Sequence, residues 1–585
     1  MLLLLPTSSY LNILTTSSSG LCGTIGAAAG CVDLVVYSAG VVEKGGRTQG
    51  LPIEIALAVT RGSGAVFIHA EPVVDESFIL FTRISALVAS AIAGREFSLY
   101  NYYVFVKSPV ARARGPSLSA AVGVGFTLAL LGIKIGEPIA VTGILTPDGG
   151  IGPVGHLVEK VLALSTVAKK LYIPVATEVS VKIGGASLSL TELGRNLGVE
   201  VVEVSTIDEV LEDLGVEARR VTTGLVSPPS EIAVKLASYL KTASEKALGE
   251  VADVCSRDDA DRLREALSLI KPPAGSSLRD VGYTASILLR AESTVWLCLI
   301  ERGRASLASL ASRTLERLKI AENTCYLYSK AAGFEFSRAI AYSTACLFLL
   351  DAWNVFNESL RALDLERSVR SLIESALIAD LVSLSLDLMS SENFDGVERD
   401  LELHRVVLLV DYALALLDSF RSWFIDGGDH SQLDLLRRYI QIGAELSTTS
   451  FSLSLAYVLK VLSELELLIY STQYIGSLYV DSLRARALAY AALSGSSTVS
   501  FLIEAGDSCV EADWSLYNCS SFYLRASTLG FTAIYLTSTR TPTLTENNLK
   551  WLYAVAAVVL PIAVFLLLRR VRVSFSQFQR LLHLL

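Results

Sequence analysis

The alternation of apolar and polar positions changes character partway along the chain. Up to about residue 216, short apolar runs are interleaved with amphipathic stretches. Segments 52–60 and 65–70 alternate or run apolar on either side of Arg61-Gly62-Ser63-Gly64, which predicts a β-hairpin. Residues 76–93 repeat with helical periodicity, 102–107 reads as a strand, and 117–131 as a helix rich in small residues. A strand at 139–142, a helix at 154–170 and a strand at 171–175 follow. The last pair is a strand at 199–204 and a helix at 205–214. Ser205-Thr206-Ile207-Asp208-Glu209 opens that helix with capping-box character. Strands mixed with helices predict an α+β or α/β domain.

Beyond this region the texture is helical. Residues 224–230, with Pro228-Pro229, read as a linker, and Pro272-Pro273 marks a second break. No proline occurs from 274 to 541, which favours helices over a turn-rich β fold. In 401–420, apolar clusters are interrupted by Glu402, Arg405, Asp411 and Asp418 at helical spacing. The expectation is roughly ten helices of about 15–28 residues packed as antiparallel hairpins. No strict repeat supports a solenoid. His430 beside Asp426 and Asp429 reads as a solvated loop rather than a metal site.

Composition adds topology. Of 585 residues, 51% are hydrophobic, and part of that excess lies in 551–568, WLYAVAAVVLPIAVFLLL. These uncharged residues suffice to cross a bilayer, and Pro561 is tolerated inside a span. Lys550 precedes the segment, and Arg569, Arg570, Arg572 and Arg580 follow it, which places the tail in the cytoplasm. Met1-Leu2-Leu3-Leu4-Leu5-Pro6 and Ser17-Ser18-Ser19-Gly20 resemble the end of a signal peptide, without a basic leader. The implied organisation is a truncated signal segment at 1–20, a domain at 21–223, a linker at 224–230 and a helical domain at 231–545. A transmembrane helix at 551–568 and a basic tail at 569–585 complete it. The membrane is thus one expected partner, with everything before the span outside the cytoplasm.

The net charge of −9 argues against a general nucleic-acid binder. None of the eight cysteines forms a CxxC pair, so zinc and thioredoxin-like sites are not indicated. Cys22/Cys31 and Cys509/Cys519 are spaced for local disulfides in an oxidising compartment. Cys255, Cys298, Cys325 and Cys346 read as small buried hydrophobes. Asn357-Glu358-Ser359 and Asn518-Cys519-Ser520 match the glycosylation triplet, a pattern common by chance.

The candidate chemistry rests on two residues. Ser117 follows Gly115-Pro116 at the mouth of the small-residue helix, whose first N–H groups can hold an oxyanion. Lys160 lies 43 residues on, after Gly152-Pro153-Val154-Gly155-His156, among Val158, Val161, Leu162 and Leu164. A serine needs a neighbouring base. A lysine becomes that base when apolar surroundings lower its pKa. Thr142 is placed to hold the amine. No metal or cofactor is called for.

Gly115-Pro116-Ser117, Thr142-Gly143, Gly152-Pro153-Val154-Gly155 and Glu159-Lys160 resemble the proteolytic domain of Lon proteases. The resemblance covers roughly 45–215 and implies Ser117 as nucleophile and Lys160 as base, supported by Thr142, Gly115, Pro116 and Leu118. It also implies polypeptide substrates and, by family habit, a hexameric ring. The chain has no GxxxxGK[ST] phosphate loop, so it is similar to ATP-independent Lon-like proteases of archaeal type. Leu118-Ser119 stands where the family usually has Ala-Gly, so Leu118 is expected to narrow the oxyanion region, while the Ser119 hydroxyl is disfavoured as a nucleophile beside Ser117. Arg114 stands where an acidic residue or glycine is common. His156 replaces a glycine and is expected at the rim.

The expected molecule is an α+β Lon-like protease domain, then a large all-α region and a C-terminal transmembrane helix. The leading function is a membrane-anchored serine endopeptidase acting on unfolded or flexible polypeptides. A non-catalytic surface scaffold with a Lon-like interaction domain is the alternative. An intracellular protease working with a separate ATPase is a third.

Overall fold

The computed structural model describes residues 20–24, 31–44, 46–113, 116–175, 179–183, 186–216, 230–268, 278–331, 336–390, 403–423, 431–471, 477–494, 497–511 and 516–537. After α1 (Gly20–Thr24), a seven-stranded mixed sheet forms in the order β11-β8-β5-β1-β2-β4-β3. Its strands are β1 (Val32–Lys44), β2 (Arg47–Arg61), β3 (Val66–Val74), β4 (Tyr100–Ala113), β5 (Ile139–Val141), β8 (Lys170–Pro174) and β11 (Glu200–Val204). The small hairpin β6 (Ile144–Leu145) and β7 (Ile151–Gly152) stands apart, as does the pair β9 (Ser180–Ile183) and β10 (Ala186–Ser189). The helices of this region are α2 (Glu76–Ala93), α3 (Ser119–Leu131), α4 (Leu157–Leu164), α5 (Leu190–Asn196) and α6 (Ile207–Asp213).

β1 and β2 form the real hairpin, paired from Val32↔Val59 to Lys44↔Arg47. The expected hairpin of 52–60 with 65–70 is corrected, because β4 lies between β2 and β3. β2 pairs antiparallel with β4, and β3 pairs parallel with it. The turn at 61–65 bridges over the start of β4. The Asn101 carboxamide oxygen accepts from the Ser63 and Ala65 N–H groups at 2.9 and 3.2 Å. A side chain at Gly62 would strike Asn101. The helix expected at 154–170 is shorter, starting at Leu157 and ending at Leu164. Thr206 and Glu209 form the capping box of α6.

Among the described residues twelve further helices follow. They are α7 (Ser230–Val254), α8 (Arg257–Ser268), α9 (Leu278–Glu301), α10 (Leu307–Ala331), α11 (Phe336–Ser359), α12 (Leu365–Ser390) and α13 (Leu403–Trp423). Then come α14 (Ser431–Leu446), α15 (Phe451–Ser471), α16 (Ser477–Ser494), α17 (Ser497–Glu511) and α18 (Leu516–Thr537). They share one hydrophobic cluster with the sheet: Phe81, Ile84 and Phe126 belong to the same core as Leu416, Tyr490 and Phe531. Sheet and helices therefore form one compact unit to Thr537. α2 and α11 are long and apolar enough to cross a membrane, but 78% and 72% of them is buried in that core. The span expected at 551–568, the signal segment at 1–20, the linker at 224–230 and the His430 loop lie outside the described residues, α1's first residue and Ser230 apart.

Disulfides pair Cys22–Cys31, Cys255–Cys298 and Cys325–Cys346. The second and third correct the expectation that the middle cysteines are unpaired hydrophobes. They join residues 43 and 21 positions apart, where adjacency is made by helix packing and leaves no local signature. Cys519 is also disulfide-bonded; the side chain of Cys509 lies outside the described residues.

Candidate active site

Pro116–Leu118 forms a single 3-10 turn that runs into α3. Every residue of α3 except the last is buried, as befits a helix apolar on all sides. The turn is therefore anchored from behind, and Ser117 is half-buried at its mouth. Two backbone bonds hold it from the front. The Gly143 N–H donates to the Ser117 carbonyl at 3.1 Å, and the Ala120 N–H donates to the Gly143 carbonyl at 3.3 Å. Gly143 has φ 155°, and a Cβ there would sit 2.4 Å from Ile151. Only glycine fits that crossing.

Ser119 is a bracket, which removes it as a rival to the favoured Ser117. It is 3% exposed, its hydroxyl donates to the Pro116 carbonyl at 2.6 Å, and it accepts from the Leu145 N–H at 2.8 Å. The expectation for Leu118 is corrected: its side chain lies in the hydrophobic core instead of narrowing an open site. Pro116 is half-buried in the turn. Gly115 and Arg114 lie outside the described residues.

Lys160 sits on α4. Leu157, Val161 and Leu164 of that helix pack with Ala39, Ala140, Leu171 and Ile173. Gly50 lets β2 press against α4, since a Cβ there would come within 2.0 Å of the Glu159 carbonyl oxygen. Lys160 is 4% exposed and makes no ion pair among the described residues. Burial alone pushes its pKa down to about 8, because desolvation penalises the ammonium form. His156, exposed and in the left-handed region at φ 58°, precedes the helix. A glycine would adopt that conformation more easily. Its Nδ1 is 4.0 Å from the Glu159 carboxylate at the rim.

β1 touches both the Ser117 turn and α4, so the two candidates flank one strand. Thr142 directly follows β5, its N–H bonded to the Tyr172 carbonyl at 3.0 Å. The hydroxyls of Thr142 and of Ser38 on β1 are buried without a hydrogen-bond partner among the described residues. Such orphaned groups are uncommon in a native interior. Sequence reasoning singled out Thr142. It missed Ser38, which sits in an apolar run that carried no chemical pattern.

Among the described residues, a half-buried serine at a helix mouth and a buried lysine without a counter-ion are the candidates for a hydrolytic centre. No family model matches the chain. Part of it is similar to Lon proteases. It is 27% identical over 175 residues to the archaeal Lon protease of Pyrococcus abyssi, covering 29% of this chain and 16% of that one. It is 31% identical over 131 residues to the Lon protease of Azospirillum brasilense, covering 22% and 15%. It is 29% identical over 118 residues to Lon protease 2 of Bacillus subtilis, covering 20% and 18%. The chain thus spans under a fifth of the length of these curated relatives.

Proposed function

We propose that the chain is a Lon-like serine endopeptidase that works without ATP. Ser117 is the nucleophile and Lys160 the general base. In the acylation step neutral Lys160 takes the Ser117 hydroxyl proton as the oxygen attacks the peptide carbonyl carbon. The C–N bond then breaks, and the ammonium returns the proton to the leaving amine. Water activated by the same lysine hydrolyses the acyl-enzyme. The first amides of the Ser117 turn hold the oxyanion. Thr142 offers its hydroxyl to the lysine amine.

The observation that supports this reading best is the uncompensated burial of Lys160. A structural lysine in a fold's interior is ordinarily paired, and an unpaired one with a depressed pKa is the signature of a working base. Disulfides between helices agree with an oxidising compartment, and hence with an anchor at 551–568 that holds the enzyme at the membrane on the outer side. Substrates would be unfolded or flexible polypeptides.

The test is hydrolysis of unfolded casein by the soluble portion from pH 6 to 10, beside Ser117→Ala and Lys160→Ala. Wild-type activity lost in both variants is expected. Equal inertness of all three proteins sinks the reading.

A further inference from the structure

The catalytic hairpin is held from outside its own domain. Residues 142–156 connect the two candidates. One arm carries Gly143 and Leu145, which bond to the Ser117 turn and to Ser119. The other runs through β7 and Pro153 to His156, whose carbonyl accepts from the Lys160 N–H at 3.0 Å. The tip, 146–150, is buried throughout; Ile92 of α2 lies against Gly149 and the Ile207 N–H donates to the Gly149 carbonyl at 3.0 Å, and the polar side chains that bond the tip come from the helical region.

Tyr412 of α13 donates to the Pro147 carbonyl, and Tyr490 of α16 to the Asp148 carbonyl. Ser527 of α18 donates to the Asp148 carboxylate. Arg486 of α16 donates to the Thr146 hydroxyl at 2.6 Å and lies 3.2 Å from Asp148. Its other nitrogen bonds Glu466 of α15. Arg486, Asp148 and Glu466 are 3% exposed or less. Desolvation raises the Glu466 pKa to about 8.

We propose that the helical region is the positioning scaffold of the active site, and that Arg486, Tyr412 and Tyr490 are positioning residues that set the Ser117 turn relative to Lys160 by clamping the hairpin tip. This goes beyond, and rests on, the peptidase reading for its catalytic consequence. The clamp itself is a structural statement that stands without it. A bundle that served only as a stalk would not place a buried ion pair and three hydroxyl donors on one five-residue turn. Buried polar networks of this kind are costly unless fully matched.

The test uses the full chain with Tyr412→Phe and Tyr490→Phe combined, which removes two hydrogen bonds and keeps ring volume, and separately Arg486→Lys. Amide hydrogen exchange should accelerate about tenfold or more in 116–122 and 141–152, where the Ala120, Gly143 and Leu145 bonds lie, and stay unchanged in α10 and α11. Casein turnover should fall about tenfold or more in kcat with KM within about twofold. The pH midpoint of activity should move upward as water reaches Lys160. Unchanged exchange in 116–122 overturns the clamp, as does acceleration spread evenly over all helices. A wild type that is inert on casein but loosens at 116–122 in the variants keeps the clamp and removes the peptidase.

Discussion

Lys160 and Lys460 are two lysines of one chain buried to nearly the same depth, at 4% and 6% exposure. Lys460, on α15, donates to Asp351 at 2.8 Å and Glu464 at 2.6 Å. Desolvation pushes its pKa down, but the two carboxylates outweigh that and raise it. Lys160 meets desolvation with no opposing charge, and its pKa falls to about 8. Burial sets the cost of the ammonium, and the partners decide whether it is met. The helical region spends its buried lysine on cohesion. The sheet region leaves its own without an ion pair among the described residues, on a helix that packs on the same strand as the Ser117 turn.

The largest expected effect is catalytic. Ser117→Ala should lower casein turnover by about 10⁴-fold or more, and Lys160→Met by a similar factor, with no further loss in the double variant because the pair acts as a unit. Lys460→Met should leave turnover per folded molecule near wild type. Equal loss at both lysines would erase the distinction.

Stability should move the other way. Lys460→Met takes the cation from half-buried Glu464 and leaves half-buried Asp351 with Arg525 alone, and should cost about 1–3 kcal/mol. Lys160→Met replaces an uncompensated buried amine with an apolar chain of like length. It should stabilise the protein at pH 7 by up to about 3 kcal/mol, the worth of a drop from 10.5 to about 8. Denaturant midpoints at pH 7 measure both, and a loss of stability in Lys160→Met would show that the amine has a partner.

The same shift has two pH signatures. The proposed mechanism requires neutral Lys160, so turnover should rise with pH through a midpoint near 8. A midpoint near 10.5 would mean a solvated lysine. For stability the folded pKa is below the unfolded one. The unfolded chain therefore binds more protons between about 8 and 10.5, and this group's contribution rises with pH across that window and is lost below it.

Much of this contrast was written locally, and the decisive part was not. Helix 76–93 matched the pattern residue for residue, because its Asp75 cap and Gly94 stop flank an apolar repeat. Ser117, Thr142 and Lys160 were legible because glycine-rich turns around them have a chemical reason. The strand at Val32–Lys44 was not read, since its buried positions, Leu34, Val36 and Ser38, alternate with half-buried Val35 and Tyr37, and polarity along the run does not follow that alternation. β4 inserted between β2 and β3 through long-range pairing that no turn motif encodes. Disfavouring Ser119 as a nucleophile needed only the Gly-Pro-Ser pattern, but its bracketing bonds to Pro116 and Leu145 depend on the hairpin folding back. Arg486 and Glu466 were invisible, because one charge on a long helix reads as solvated surface. Only the fold brings them 340 and 320 residues back to Thr146 and its turn.

Glu466 supplies the smallest effect and a third case beside the two lysines. Arg486 bonds its carboxylate, yet burial and nearby Asp148 still raise its pKa to about 8. Its folded pKa is above the unfolded 4.5, so its contribution is present below about 4.5 and lost as pH rises through 8. Glu466→Gln keeps the acceptor for Arg486 and cannot ionise. At pH 5, where the wild-type side chain is protonated when folded, the two proteins should differ by about 1 kcal/mol or less. At pH 9 the variant should be relatively the more stable, its denaturant midpoint falling less between the two pH values than that of wild type. Parallel falls would mean that Arg486 compensates Glu466 as fully as Asp351 and Glu464 compensate Lys460, leaving Lys160 as the sole buried charge of the three without a match.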